Sequence, residues 1–579
     1  MVGSQTTETE HSTHQRGPRA LAVTAVVASS LLVYALTLAP DVGWGDAAEL
    51  ALQATQLGVT HPPGYPVHTL IGKLFTCLFE EPAVGTNALS AVSASAAAGV
   101  LAWLIARLTG DTGAALVGGL LFAFIPPIWS SATSTEVYAL SLLMLSLALA
   151  LLLAWQRRPS PQRLWAAALA YGVSLGSHPA NLLLAPAFLY LLNQHVLHQH
   201  KDRRARRIAG FLTVAGAVVA LFIVWEAIRA QTLPPLGATY LPTTPLGVAR
   251  FVTGAQYEPV AVQTVSFYAK RATEQALAFG RSVLWIGVPL ALLGLHNLWR
   301  RQRAVGIALV LVFAIDALYF TGYAATDYDT MLAPAYFVLA LWVGCGLHAV
   351  SAGIQRLAAR LSRQLGLVAL LLGAVGLVLA LASDALGLGR DAGLGPTQLL
   401  VACAALGIVL IGWALRTLED PRWLAQTGVR LVIGALALSL PYALLVAQFA
   451  DRYVATQRRD VTYYAAVSMQ AFPEDAVVCA AWDRLTPLLY VQAVHGLRPD
   501  VTLVERTLER GPAPRTYTFG VVEDWRAYVD AAMRSRPTVV DARPFGASTR
   551  YQDVALPHGW HLIVPRPPGE NAVTDVVPR

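Results

Sequence analysis

Long apolar runs, each about the length needed to cross a hydrocarbon core of about 30 Å, recur along this chain and are separated by short polar connections. They lie near residues 20–39, 84–107, 112–129, 136–156, 161–177, 181–199, 207–229, 278–298, 304–321, 331–350, 365–385, 397–416 and 428–449. The pattern predicts roughly thirteen membrane-spanning helices. The stretch 64–80 is apolar but short, contains Lys73 and ends in Glu80-Glu81-Pro82, so it reads as a re-entrant or interfacial helix. After residue 450 the long runs give way to charges, prolines and short alternating segments. There AVVCAAW (476–482), VTLVE (501–505), TVVDA (538–542) and HLIVP (561–565) predict strands, with PLLYVQAVHG (487–496) as a helix between the first two. That order suggests a small α/β layer. The expected organisation is a disordered N-terminus (1–19), a polytopic α-helical membrane domain (20–449) whose first outer loop is 40–83, and a separate α/β domain (450–579).

Composition agrees with the pattern. Only 13% of the 579 residues are charged and the mean hydropathy is +0.51, which excludes a soluble globule. Charge then orients the spans, because Lys and Arg are retained on the cytoplasmic side. One set of connections holds Arg157, Arg158 and Arg163, then Lys201, Arg203, Arg204, Arg206 and Arg207, then Arg300, Arg301 and Arg303, whereas the opposite loops 40–63, 130–135, 178–180 and 322–330 carry no Lys or Arg. The N-terminus is therefore expected in the cytoplasm and the C-terminal domain outside, in a bacterial inner membrane. The formal charge of +7 follows from these loops and calls for no nucleic acid. Four cysteines without a CxxC pair suggest neither a disulfide framework nor a metal cluster.

With this orientation the unusual polar clusters all fall on the outer face. Asp41, Asp46 and Glu49 follow the first span; Asp46 and Glu49 are three apart at the start of AAELALQATQLG and can project from one helix face. Asp46 can equally serve as an N-cap, and both acids suit a helix N-terminus. His61-Pro62-Pro63-Gly64-Tyr65-Pro66 predicts a rigid turn that can aim His61 at the same cavity or bury it structurally. Glu136 opens another span in STEVYAL; His178 and Asn181 lie between two spans in GSHPANLLLAP; Asp327 and Asp329 flank Tyr328 before a late span. Ionisable groups at membrane depth face protein or water rather than lipid. The long loop near 230–275 adds Arg229, Arg250, Arg271, Tyr257 and Glu258.

The succession DxxEL after span one, LGVxHPPGYP, EVYAL, SLGxHxxN and a late DYD resembles a membrane family long catalogued as a domain of unknown function, whose animal member is a protein O-mannosyltransferase acting on IPT domains. The likeness runs from about residue 20 to 350 and weakly through WDRLTPLLYVQAVHGLRPDV (482–501). DAAE stands here where DSGE is usual, which keeps both acids and loses a hydroxyl. The resemblance implies a GT-C type glycosyltransferase that moves a sugar, mannose in the animal relative, from a polyprenyl phosphate carrier to a hydroxyl of an acceptor protein or glycan. It implies Asp46 as general base with Glu49 holding the acceptor or tuning Asp46. His61, His178 and Arg229 would face the departing phosphate, with Tyr65, Glu136, Asn181, Asp327 and Asp329 as further substrate contacts. No metal and no cofactor is expected. A lipid-linked glycan ligase or flippase and a secondary transporter are the alternative readings, the latter disfavoured by the lack of an internal repeat.

Overall fold

In the computed structural model, residues 16–196, 201–232, 244–254, 264–323, 328–356, 421–456, 458–505, 529, 531–541 and 551–565 are described. Helices dominate. α1 (Arg16–Leu36) is followed by two short helices, α2 (Asp46–Gln56) and α3 (Pro66–Thr76), and then by α4 (Pro82–Thr109), which at 28 residues is long enough, at ~1.5 Å per residue, to cross a bilayer. Pro82 opens α4 where a missing N–H costs nothing, and Gly110, with φ 78, closes it, the asymmetry expected of helix ends. α5 (Thr112–Ala123) and α6 (Pro126–Thr133) precede α7 (Val137–Arg157) and α8 (Pro161–Ser177). The connection between α7 and α8 is so short that they pack as neighbours, and Ser160 caps α8 by accepting from the Arg163 amide, which satisfies one of its free donors.

Seven helices among the described residues are long and apolar enough to span a membrane, or up to nine if each bent pair is one span. Eleven of the thirteen expected runs fall on described helices; those near 365–385 and 397–416 lie outside the described residues, as do residues 1–15. Two runs prove to be broken. That at 112–129 bends by 66° between α5 and α6, where Ile125 adopts extended backbone (ψ 130) because a residue before proline is driven out of the helical region. That at 278–298 bends by 91°, because Leu284 and Trp285 take positive φ and the Trp285 amide turns back onto the Gly280 carbonyl at 2.7 Å. Residues 64–80 contain only the 11-residue α3, roughly 16 Å long and half the hydrocarbon thickness, so this segment does not span.

The tail forms a five-stranded sheet in the order β2-β1-β3-β5-β4, with β1 (Val477–Ala480), β2 (Thr502–Glu505), β3 (Thr538–Val540), β4 (Tyr551–Leu556) and β5 (Trp560–Pro565). β1 is parallel to β2 and β3, and β5 is antiparallel to β3 and β4. Four of the strands were expected from the sequence and β4 was not: as an edge strand its residues 552–555 are exposed, so it lacks the apolar face that marks a strand. The expected helix starts earlier than 487, at Trp482, and runs to His495. A further helix, Asp460–Ala471, precedes the sheet. These tail elements do not stand apart: Val42, Ala48, Ala51, Leu52, Val59 and Ala83 share one buried core with Tyr464, Leu488, Tyr490, Val539 and Trp560.

Candidate functional site

α2 carries the acids, and its start is set by Gly45, whose φ of 57 belongs to the left-handed region that glycine enters without steric cost. Asp46 is therefore the first helical residue and not the N-cap, and no side chain caps this end. Its carboxylate is engaged elsewhere. Oδ1 accepts from the Trp482 indole N–H at 2.6 Å, and Oδ2 lies 3.6 Å from His61 Nε2, with half of the side chain exposed. One helical turn on, Glu49 is fully buried and accepts from both the amide and Nδ1 of His61 at 2.8 Å each.

The turn holding His61 closes through the Gly64 amide, which donates to the His61 carbonyl at 2.9 Å, and through the Tyr65 amide, which donates to Thr60 Oγ1. Gly64 has φ 84, and a Cβ there would come within 2.5 Å of the Glu226 carboxyl, so no other residue fits. The result is a line of three groups, Glu49, His61 and Asp46, with the acid at one end buried and the acid at the other open. Burial alone would lower the His61 pKa; the charges of Asp46 and Glu49 and the hydrogen bond to Glu49 overcome it and push it up to about 9. Burial also raises Glu49, against the pull of His61. Both shifts have one meaning: the pair keeps a proton across neutral pH.

The other expected residues divide into two groups. Tyr65 meets His61 edge-on at 5.3 Å and His178 in a tilted contact at 5.5 Å between ring centres, and the Tyr138 ring lies 5.8 Å from that of His178. His178 accepts from the Ala180 amide through Nδ1, and burial with the nearby His61 charge lowers its pKa to about 4; it is a neutral ring whose Nε2–H is a donor, not a cation. Glu136 precedes α7 and is near enough to raise the His61 pKa. Asn181, by contrast, ties spans together by donating to Ser141 Oγ and the Ser174 carbonyl. Arg229, in the last turn of the helix Lys201–Thr232, donates to the Gln56 and Leu57 carbonyls. It thus caps α2 from outside, satisfying carbonyls that a helix end leaves open. Asp329 accepts from the Thr330 amide on the turn Tyr328–Met331, and Arg271 lies 3.7 Å over the Tyr328 ring; Asp327, Tyr257 and Glu258 lie outside the described residues. Asp41 also leaves the acid group: it is buried and accepts from the Thr462 amide and hydroxyl, holding the start of the helix Asp460–Ala471.

Two residues at the site were not singled out from the sequence. Trp482 binds Asp46 and sets its ring edge-on to His61 at 6.0 Å; its only signal was its place at the head of the WDRLTPLLY segment. Glu505 ends β2 opposite Ala480. It is buried, with Oε2 lacking a hydrogen-bond partner among the described residues, and burial raises its pKa to about 7, with His61 and Glu49 close enough to act on it. As the last residue of a short apolar run it looked like a strand end. Among the described residues no group of three His, Cys, Asp or Glu is arranged to hold a metal ion.

The chemistry available is that of one open carboxylate, held by an indole donor and an imidazole that a buried acid orients. Residues 46–202 match the family model described as the protein O-mannosyl-transferase TMEM260 N-terminal domain. A mouse protein O-mannosyl-transferase TMEM260 is 36% identical over 129 residues, 22% of this chain and 18% of the mouse protein. Its Dictyostelium discoideum counterpart is 29% identical over 117 residues, 20% of this chain and 14% of that protein. The chain therefore spans less than a fifth of the length of these curated relatives. In overall fold it is similar to ArnT from Cupriavidus metallidurans, both bound to undecaprenyl phosphate, at 14% identity, and in the apo state, at 15%; each comparison has a TM-score of 0.54 and covers 93% of this chain and 97% of that one. The chain is a multi-pass membrane protein whose overall fold is similar to that of ArnT and whose residues 46–202 are similar to the N-terminal domain of protein O-mannosyl-transferase TMEM260.

Proposed function

We propose that this protein is a membrane glycosyltransferase that moves a sugar, mannose by analogy with its named relatives, from a polyprenyl phosphate carrier to a Ser or Thr hydroxyl of an acceptor. The observation that carries the reading is the Glu49–His61–Asp46 line with its single exposed carboxylate, set within the family-matched segment. In the reaction the acceptor oxygen attacks the anomeric carbon and gives its proton to Asp46; the bond from that carbon to the phosphate oxygen breaks, and the carrier phosphate leaves with the electron pair. Asp46 is the catalytic base, and Glu49 and His61 are positioning residues that hold its surroundings. The neutral His178 ring, linked to His61 through the Tyr65 ring, can donate to the phosphate. The test is turnover of synthetic polyprenyl phosphate sugars by the purified full chain. Release of the carrier phosphate that depends on a hydroxyl-bearing acceptor protein is expected, with mannose the preferred sugar. Absence of release with every sugar and acceptor class would sink the reading.

The proposal puts the reaction on the non-cytoplasmic face of a bacterial inner membrane; in its support, loops 40–63, 130–135 and 178–180 lack Lys and Arg while basic residues crowd the other helix ends. Reporter fusions at Lys201 and Arg579 are expected to report opposite sides of the membrane. A common side for both would reject this orientation.

A further inference from the structure

A cavity of about 870 Å³ opens far from the acid cluster, lined by Arg19, Arg107, Arg157, Arg158 and Arg163. Trp103, Val23 and Ala154 supply an apolar wall. The position can be measured along α4. Asn87, near its start, donates to the Ala39 and Asp41 carbonyls and so lies level with the acid loop. Arg107 lies in its last turn, about 20 residues and roughly 30 Å further on, which is the thickness of a hydrocarbon core. The cavity therefore sits at the membrane surface opposite the candidate site.

Arg107, Arg157, Arg158 and Arg163 form no ion pair with an acidic side chain among the described residues. Arg157 donates to the Arg107 carbonyl and to Gln302 Oε1 at 3.3 to 3.4 Å, and Arg163 to the Arg158 carbonyl at 2.7 Å. The Arg107 guanidinium lies 5.1 Å over the Trp103 ring, and its Nε is buried without a hydrogen-bond partner among the described residues. Like charges gathered in a partly buried space repel one another, and the positive-inside tendency places arginines on one side without asking that they converge on one cavity. A polyvalent anion would resolve the repulsion, and guanidinium forks match phosphate oxygens in geometry as well as charge.

We propose that this cavity binds the phosphate headgroup of an anionic membrane lipid in the leaflet opposite the acid cluster. A lipid is favoured over a soluble phosphate because the arginines share the cavity with an apolar wall at the edge of the hydrocarbon, where a headgroup and the start of an acyl chain fit together. The volume suits a headgroup of this size. The site is independent of the sugar-transfer reading and stands or falls separately.

The test is native mass spectrometry of the detergent-purified full chain with phosphatidylglycerol, with phosphatidylcholine, and with inorganic phosphate as competitor. Retained phosphatidylglycerol is expected, with phosphatidylcholine lost under the same conditions. Arg107→Gln with Arg163→Gln should weaken retention roughly tenfold or more. Arg158→Gln, which alters only a connecting residue, should weaken it by less and guards against misfolding of the double variant. Arg300→Gln with Arg301→Gln removes two cations that do not line the cavity and should change nothing. Equal retention by wild type and the cavity variants, or equal retention of both lipids, would overturn the proposal. Displacement by millimolar inorganic phosphate without any preference for the lipid would reassign the cavity to a soluble phosphate and overturn it as well.

Discussion

Asp46→Asn is expected to lower turnover of a polyprenyl phosphate sugar by about a hundred- to ten-thousand-fold, the usual worth of a general base, while the chain stays folded and binds its donor. The reason lies in what asparagine keeps. Its carbonyl oxygen can still accept from the Trp482 indole that now binds Asp46 at 2.6 Å. Nor does α2 lose a cap, because Asp46 is not one; the forfeited charge at the helix start is worth only about 0.3–1 kcal/mol. What is lost is the capacity to take a proton from an acceptor hydroxyl. Steady-state rates and donor affinity measured together check this. A variant that turns over near the wild-type rate would remove Asp46 from the mechanism.

Glu49→Ala is expected to destabilise the protein by about 3–5 kcal/mol, the range seen when one partner of a buried ionic pair is removed. Glu49 is fully buried and both its oxygens are used by His61, so the alanine variant strands a buried imidazole and an unpaired amide. Thermal unfolding in detergent is the measurement, and unchanged stability would show that the pair contributes nothing. Its pH dependence carries a second signature. The His61 pKa is raised from 6.5 to about 9 in the folded protein, so its contribution is fully present below about 6.5 and is lost as pH rises through about 9. Wild-type stability should therefore fall along that alkaline limb. Glu49→Gln, which keeps an acceptor but removes the charge, should make the limb shallower without abolishing it, since Asp46 also holds the proton.

The helical architecture was legible because spanning requires long apolar runs, and such runs survive any local detail of packing. Breaks within them were less so. The run at 112–129 reads as one span although Pro126-Pro127 carries the signal for its bend, and the second bend rests on positive φ at Leu284 and Trp285, residues whose types favour no such turn. At the site, proximity in sequence brought out Asp46, Glu49 and the HPPGYP turn. It could not show that Glu49 faces His61 rather than an acceptor, since a helix period gives a face and not a partner. Arg229 shows the same limit: a cation beside a membrane suggests an anion, and the structure gives it helix carbonyls instead. Trp482 and Glu505 reach the cluster from more than 400 residues away, through tertiary packing alone.

The seam between the first loop and the tail has a consequence for exchange between relatives. Thr486 donates to the Gly45 carbonyl, the Tyr490 hydroxyl bonds the Glu81 carboxylate, and Asp41 holds the Thr462 amide. Loop and tail thus form a single unit of inheritance despite their distance along the chain. A chimera that joined the membrane half of this protein to a foreign tail would retain Asp46, Glu49 and His61 in sequence and lose the wall that holds them in register. Transplants should move residues 40–83 and 458–565 together.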